Sequence, residues 1–193
     1  MPLIKKIKKN NSQIGVWKTT ESLTHLVSLN NKLDISKFKS LNRKRELLST
    51  RLLLNELLPN SKMYYNKYGA PKLKNNNYIS ISHSKNLVAI IISNRRVGLD
   101  IEKINKKPLK LSSKFVSKEN LSNLTEERAT LIWCCKEAIF KLYEKGNINF
   151  ISDIRINPFF IKEKGEILAK FKNKDYILHY QKINTHFLVY VCK

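Results

Sequence analysis

Apolar and polar positions alternate with two distinct periods along the chain, and the switches between them set out its elements. A two-residue period marks a strand from Gln13 to Thr20, after which polar, turn-rich sequence around Asn30, Asn31 and Asp34 breaks the pattern. A helical period follows from about Ser36 or Ser40 to Leu58, with Leu47, Leu48, Leu52, Leu54 and Leu58 on one broad apolar side and Arg45 and Arg51 off it. Pro59 and Asn60 stop this helix. Beyond the loop YGAPKLKNNN, Tyr78–Ser84 and Leu87–Ser93 alternate as two strands around the short turn Lys85-Asn86, which is a hairpin, and Val97–Ile104 adds a third strand. The second half repeats the plan: a short helix near Ser117–Asn123, a long helix from about Thr125 to Lys145, and strands at Asn149–Ile156, Glu166–Lys172, Tyr176–Ile183 and His186–Val191. Thr125 caps the long helix, Glu126 and Glu127 suit its positive end, and Gly146 stops it. An antiparallel α+β architecture is expected. With 193 residues and 42% hydrophobic content, the chain can bury its own core.

Charge narrows the class of partner. There are 37 Lys and Arg against 15 Asp and Glu, a formal charge of +22, so the surface field favours an anion. Abundant Lys, Asn and Ile also fit simple compositional drift, which leaves many of these lysines merely solvated. A basic nucleic-acid-binding protein without enzymatic activity is the alternative from another class, but the chain has no zinc-finger, RRM or Gly-Arg signature. The longest apolar run, Leu87–Ile92, is far short of a bilayer span, and no apolar stretch follows the basic start as in a secretory signal. Three cysteines, two of them adjacent, make no disulfide framework. A monomer in the cytoplasm, with no membrane and no specific nucleic-acid partner, is the expectation.

Chemistry concentrates in three segments. In VGLDIE, alternation turns Val97, Leu99 and Ile101 into the core and puts Gly98, Asp100 and Glu102 together on the other face. Two carboxylates beside a bare glycine offer oxygen ligands to a hard divalent ion, with space for a phosphate. An ordinary strand with a wet acidic face has the same pattern. On the long helix Leu131, Cys135, Ala138 and Leu142 form the core stripe, while Trp133, Glu137 and Lys141 follow at i, i+4, i+8. Glu137 and Lys141 fit a plain helical ion pair, but Trp133 and Phe140 indicate that this side too is covered. The strand YISISHS sends Ile79, Ile81 and His83 one way and Ser80, Ser82 and Ser84 the other. With no HxxxH, cysteine cluster, GxGxxG or GxxxxGK[ST], neither a zinc site nor a common nucleotide fold is expected. Phosphate binding then relies on Lys, Arg and metal.

Taken in order, ISHS, GLDIE, FxxxE at Phe115–Glu119 and WxxKEAxxK at Trp133–Lys141 resemble the 4'-phosphopantetheinyl transferases, in the single-chain type that activates peptide and polyketide synthases. The resemblance spans about Arg45 to Lys141. It implies two similar half-domains, 1–96 and 97–193, forming a pseudo-dimer with the active site between them. It implies transfer of the phosphopantetheine arm of coenzyme A to a serine of an acidic acyl- or peptidyl-carrier protein. Asp100, Glu102 and Glu137 would hold magnesium or manganese, and Asp100 would also border the coenzyme. Lys136 and Lys141 would contact phosphates, with Lys141 at the leaving 3',5'-ADP. Ser82 and His83 would bind the 3'-phosphate region with help from Arg45, and Glu119 would be a base or a partner of a metal-bound water. Where relatives carry a basic residue before the proline of the loop, this chain has Ala70, and Lys67, Lys72 or Lys74 is left to substitute.

Overall fold

In the computed structural model, which describes residues 2–9, 11–30, 33–118, 121 and 124–193, the chain builds two antiparallel sheets faced by two long helices. The first sheet is ordered β1 (Leu3–Lys9), β2 (Ser12–Lys18), β6 (Leu87–Ser93), β5 (Tyr78–Ser84). The second is ordered β7 (Val97–Lys103), β11 (His186–Cys192), β10 (Lys174–Ile183), β9 (Lys164–Phe171), β8 (Ile154–Ile156). A separate hairpin pairs β3 (Met63–Tyr65) with β4 (Pro71–Leu73). The first sheet draws its strands from residues 3–93 and the second from 97–192. The class is α+β.

Burial explains the layering. Every residue of β6 is buried: Val88, Ile90 and Ile92 meet Leu53, Leu54 and Leu57 of helix α2 (Leu41–Leu57), while Leu87, Ala89 and Ile91 turn to the second sheet. There they join Leu99 and Ile101 of β7 and Leu188 and Tyr190 of β11. The opposite face of β11, Phe187, Val189 and Val191, packs on Leu131, Cys135, Ala138 and Leu142 of helix α4 (Glu126–Tyr143). The order across the molecule is helix, sheet, sheet, helix. Such doubly buried strands are continuous apolar runs, which is how LVAIIIS reads.

Several boundaries differ from expectation. A lysine-bearing edge strand, β1, precedes the expected first strand, and helix α1 (Leu23–Leu29), capped by Ser22, occupies sequence expected to be turns. Leu53 and Leu57 of α2 face the core, whereas Leu52 and Leu58 are only half-buried, because the stripe lies one residue away from where a run of leucines suggests. The loop YGAPKLKNNN contains β4. Only Ile154–Ile156 of the strand expected at Asn149–Ile156 is extended; Asn149 closes a turn by accepting from Ile151 N–H and Ser152 N–H. Helix α4 ends before Gly146, at Glu144 in the left-handed region (φ 61°). The short helix expected at 117–123 falls largely outside the described residues; what precedes it is helix α3 (Lys106–Lys110) and a 3₁₀ turn at Ser112–Lys114.

Candidate functional site

The site forms where β5, an edge of the first sheet, lies against β7, an edge of the second, under the C-terminal half of α4. An edge strand has N–H groups in need of acceptors, and the serines of YISISHS supply them. Ser80 Oγ accepts from Leu99 N–H and Ser84 Oγ from Lys103 N–H, each at 3.0 Å. The same face gives hydroxyl donors to the acids: Ser82 Oγ donates to Asp100 Oδ1 at 2.7 Å and Ser84 Oγ to Glu102 Oε2 at 2.9 Å. The two halves of the chain are therefore stitched by serine hydroxyls at the acidic segment.

Gly98, Asp100 and Glu102 share one face of β7, and that face is roofed by α4. Asp100 is only 3% exposed. Gly98 does not leave space for a phosphate, as its sequence position suggested; a Cβ there would lie 1.9 Å from the Ala138 carbonyl oxygen. The glycine lets the helix backbone approach the strand, and that approach brings Lys141 and Glu137 to the acids. Lys141 Nζ donates to Asp100 Oδ1 at 2.7 Å. Burial, then the Asp100 charge and to a lesser degree that of Glu102, push the Glu137 carboxyl up to about 7, against the pull of Lys141. Burial and Asp100 also raise Glu102.

Lys141 is the cation close to all three acids, and Asp100 Oδ2 is buried without a hydrogen-bond partner. Among the described residues no three His, Cys, Asp or Glu side chains are gathered into a ready metal cluster. The donor chemistry nonetheless fits a hard divalent cation: of three carboxylates, one has an orphaned oxygen and two keep a raised proton affinity despite the nearby lysine.

Next to the acids, a cavity of about 260 Å³ opens between the halves. Arg43, Leu47 and Thr50 of α2, Ile81 and His83 of β5, Tyr65, Tyr68 and Ala70 of the β3–β4 hairpin, and Phe140, Lys141 and Glu144 line it. Arg43 Nη1 lies 2.7 Å from His83 Nε2, and His83 Nδ1 lies 3.4 Å from Glu46 Oε1. Burial and the positive charges of Arg43 and Lys141 lower the His83 pKa, outweighing Glu46 and Asp100. The neutral ring accepts from Arg43 and presents Nδ1–H to Glu46.

Two expected site residues sit elsewhere. Arg45 turns away from His83 and donates to Glu21 O at 2.9 Å and Thr19 O at 3.4 Å, tying α2 to the segment before α1. Lys136 is 4% exposed and its ammonium is held by the carbonyls of Phe150 and Ile154, on another side of α4 from Lys141. Burial lowers its pKa to about 8. The hydroxyl of Ser82 is engaged by Asp100. Glu119 lies outside the described residues. Missing from the expected set were Arg43, Ser84 and Glu144. The i, i+4, i+7 spacing of Arg43, Leu47 and Thr50 was available in the sequence as a helix face; Glu144 had no such signal.

Among known proteins, the family described as the 4'-phosphopantetheinyl transferase superfamily matches residues 96–192, which include the acidic strand and the whole of α4. The protein named 4'-phosphopantetheinyl transferase gsp, from Aneurinibacillus migulanus, is 30% identical over 140 residues, 67% of this chain. The match covers 57% of that relative's length. Among the described residues no helix is long and apolar enough to cross a membrane.

Proposed function

Because this chain belongs to the 4'-phosphopantetheinyl transferase superfamily, we propose that it transfers the 4'-phosphopantetheine arm of coenzyme A to a serine of an apo acyl- or peptidyl-carrier protein, giving holo-carrier and 3',5'-ADP. The observation that carries this reading is a group of three acids around the buried Asp100, whose Oδ2 is unpartnered, set beside a cleft lined by Arg43, His83 and Lys141. An anionic substrate and a divalent cation answer those two needs together. The segments 1–96 and 97–193 are read as two halves of a pseudo-dimer with this cleft between them.

Asp100, Glu102 and Glu137 would hold magnesium or manganese, which supplies charge neutralisation at the diphosphate. The remaining work falls to side chains. Arg43 and His83 bind the phosphate-rich end of the coenzyme, in place of the Arg45 and His83 pairing expected from sequence. Lys141 neutralises the leaving phosphate as the bond from phosphorus to 3',5'-ADP breaks and the serine oxygen bonds to phosphorus. The serine proton goes to a carboxylate, Glu137 or Glu119, the latter assigned by resemblance to the family motif. Lys136, caged by two carbonyls, fixes the loop after α4 rather than a phosphate.

The test is incubation of the purified protein with coenzyme A, magnesium and a panel of apo-carriers from fatty-acid, polyketide and peptide synthases, followed by intact-mass spectrometry. One phosphopantetheinyl addition at the carrier serine is expected for at least one carrier. Failure across the panel would overturn the reading.

A further inference from the structure

The cleft's own cations are already engaged: Arg43 with His83 and Glu46, and Lys141 with Asp100. Its lining also includes a carboxylate, Glu144, which would repel a polyanionic ligand. That carboxylate is neutralised from the other half of the molecule. Lys72, on β4, places Nζ 2.5 Å from Oε2 of the cleft-lining Glu144, with the two side chains 25% and 12% exposed. The Lys72 ammonium also lies 5.8 Å from the ring centroid of Tyr78, at the start of β5. Glu144 occupies a left-handed C-cap position, φ 61°, which glycine or asparagine fills at lower cost. The backbone gives no reason for an acid there, whereas the ion pair does.

We propose that Lys72 is the cleft's exchangeable cation: Glu144 holds its ammonium when no ligand is present, a phosphate of the incoming coenzyme takes it over, and Glu144 thereby sets the affinity for that phosphate. The neighbouring loop position, Ala70, has no charge to offer, and Lys72 is the lysine of this hairpin paired with a cleft-lining acid. This inference rests on the proposed coenzyme A site and adds a specificity-determining pair to it. Its signature is opposite effects from the two partners. A purely mechanical tie between hairpin and helix would weaken binding whichever partner was removed.

Calorimetric titration of coenzyme A with magnesium into wild type, Lys72→Met, Glu144→Gln, Glu144→Gly and the Lys72→Met/Glu144→Gln double variant separates the cases. Loss of Lys72 is expected to weaken binding on the order of tenfold, as for a charge-assisted hydrogen bond. Glu144→Gln and Glu144→Gly are expected to tighten it by roughly threefold or more, since the competing anion is gone. The double variant should bind more tightly than Lys72→Met alone. Glu144→Gly also relieves the left-handed backbone, so weaker binding in that variant could not come from a strained cap. Thermal melts establish that each variant is folded. Glu144 variants that bind no tighter than wild type, or a Lys72→Met variant with unchanged affinity, would overturn the exchange. Wild-type protein that binds no coenzyme A would instead overturn the reading of the site.

Discussion

Burial beside Asp100 turns Glu137 from an ordinary helical acid into a group that titrates near neutrality. Its folded pKa of about 7 lies above the usual 4.5, so between those values the folded chain holds a proton that the unfolded chain has lost. The contribution to stability is full below 4.5 and declines as pH rises through 7, by on the order of 3 kcal/mol in metal-free buffer. Urea unfolding in EDTA should show this decline in wild type and a flatter profile in Glu137→Gln. The same variant, and Lys141→Ala, should lose most transferase turnover while remaining folded; either one retaining a near wild-type rate at saturating magnesium would contradict its assigned role. These residues were legible because their placement follows from local arithmetic: period two puts Asp100 and Glu102 on one face, and i, i+4 puts Glu137 beside Lys141. Arg45 and Lys136 show where that arithmetic stops. Both were placed at the site by resemblance, yet Arg45 Nη2 and the Lys136 ammonium donate to main-chain carbonyls whose positions depend on how distant segments return to the helices.

The site depends on how closely α4 lies on β7, and Gly98 controls that contact. Replacing it with alanine drives a methyl group to within 1.9 Å of the Ala138 carbonyl unless the helix shifts. A cost of about 3 kcal/mol or more is expected, with transferase activity falling further than stability because the shift moves Glu137 and Lys141 from Asp100. Denaturant unfolding and turnover, measured on the same preparation, check both effects. Thr125→Ala at the far end of the helix removes the cap accepted from Arg128 N–H and should cost about 1 kcal/mol with turnover little changed. Caps and hairpins of this kind are readable from sequence; Thr125, the turn at Lys85-Asn86 and the limits of β5 and β6 all follow from it. The β3–β4 hairpin and α1 were not. The first has strands of three residues, too short for periodicity to register, and α1 is a seven-residue helix whose only buried residue is Leu26.

At the scale of the whole molecule, the layering of two long helices outside two sheets puts both mostly apolar runs, β6 and β11, in the middle and leaves most lysines, Lys136 excepted, at the surface. A charge of +22 on such a surface favours an acidic partner, which in the proposed reaction is the carrier protein, with attraction that salt screens over roughly 8 Å at physiological ionic strength. Apparent affinity for the carrier should fall as salt rises to about 0.3 M, while the rate at saturating carrier changes less. A flat salt response would assign the excess charge to composition alone. Charge was the least specific feature in the sequence, since it names a sign of partner and no site; the carboxylates gain meaning only from the serine seam and the helix that cover them. Their joint role is tested most directly by following transfer from coenzyme A to an apo-carrier by intact-mass spectrometry across a magnesium titration, for wild type and Asp100→Asn. A rate that rises and saturates with magnesium in wild type, is abolished by EDTA and is nearly lost in the variant is the expected result. Transfer that proceeds equally in EDTA, or unchanged in Asp100→Asn, would contradict the assignment of the acid cluster.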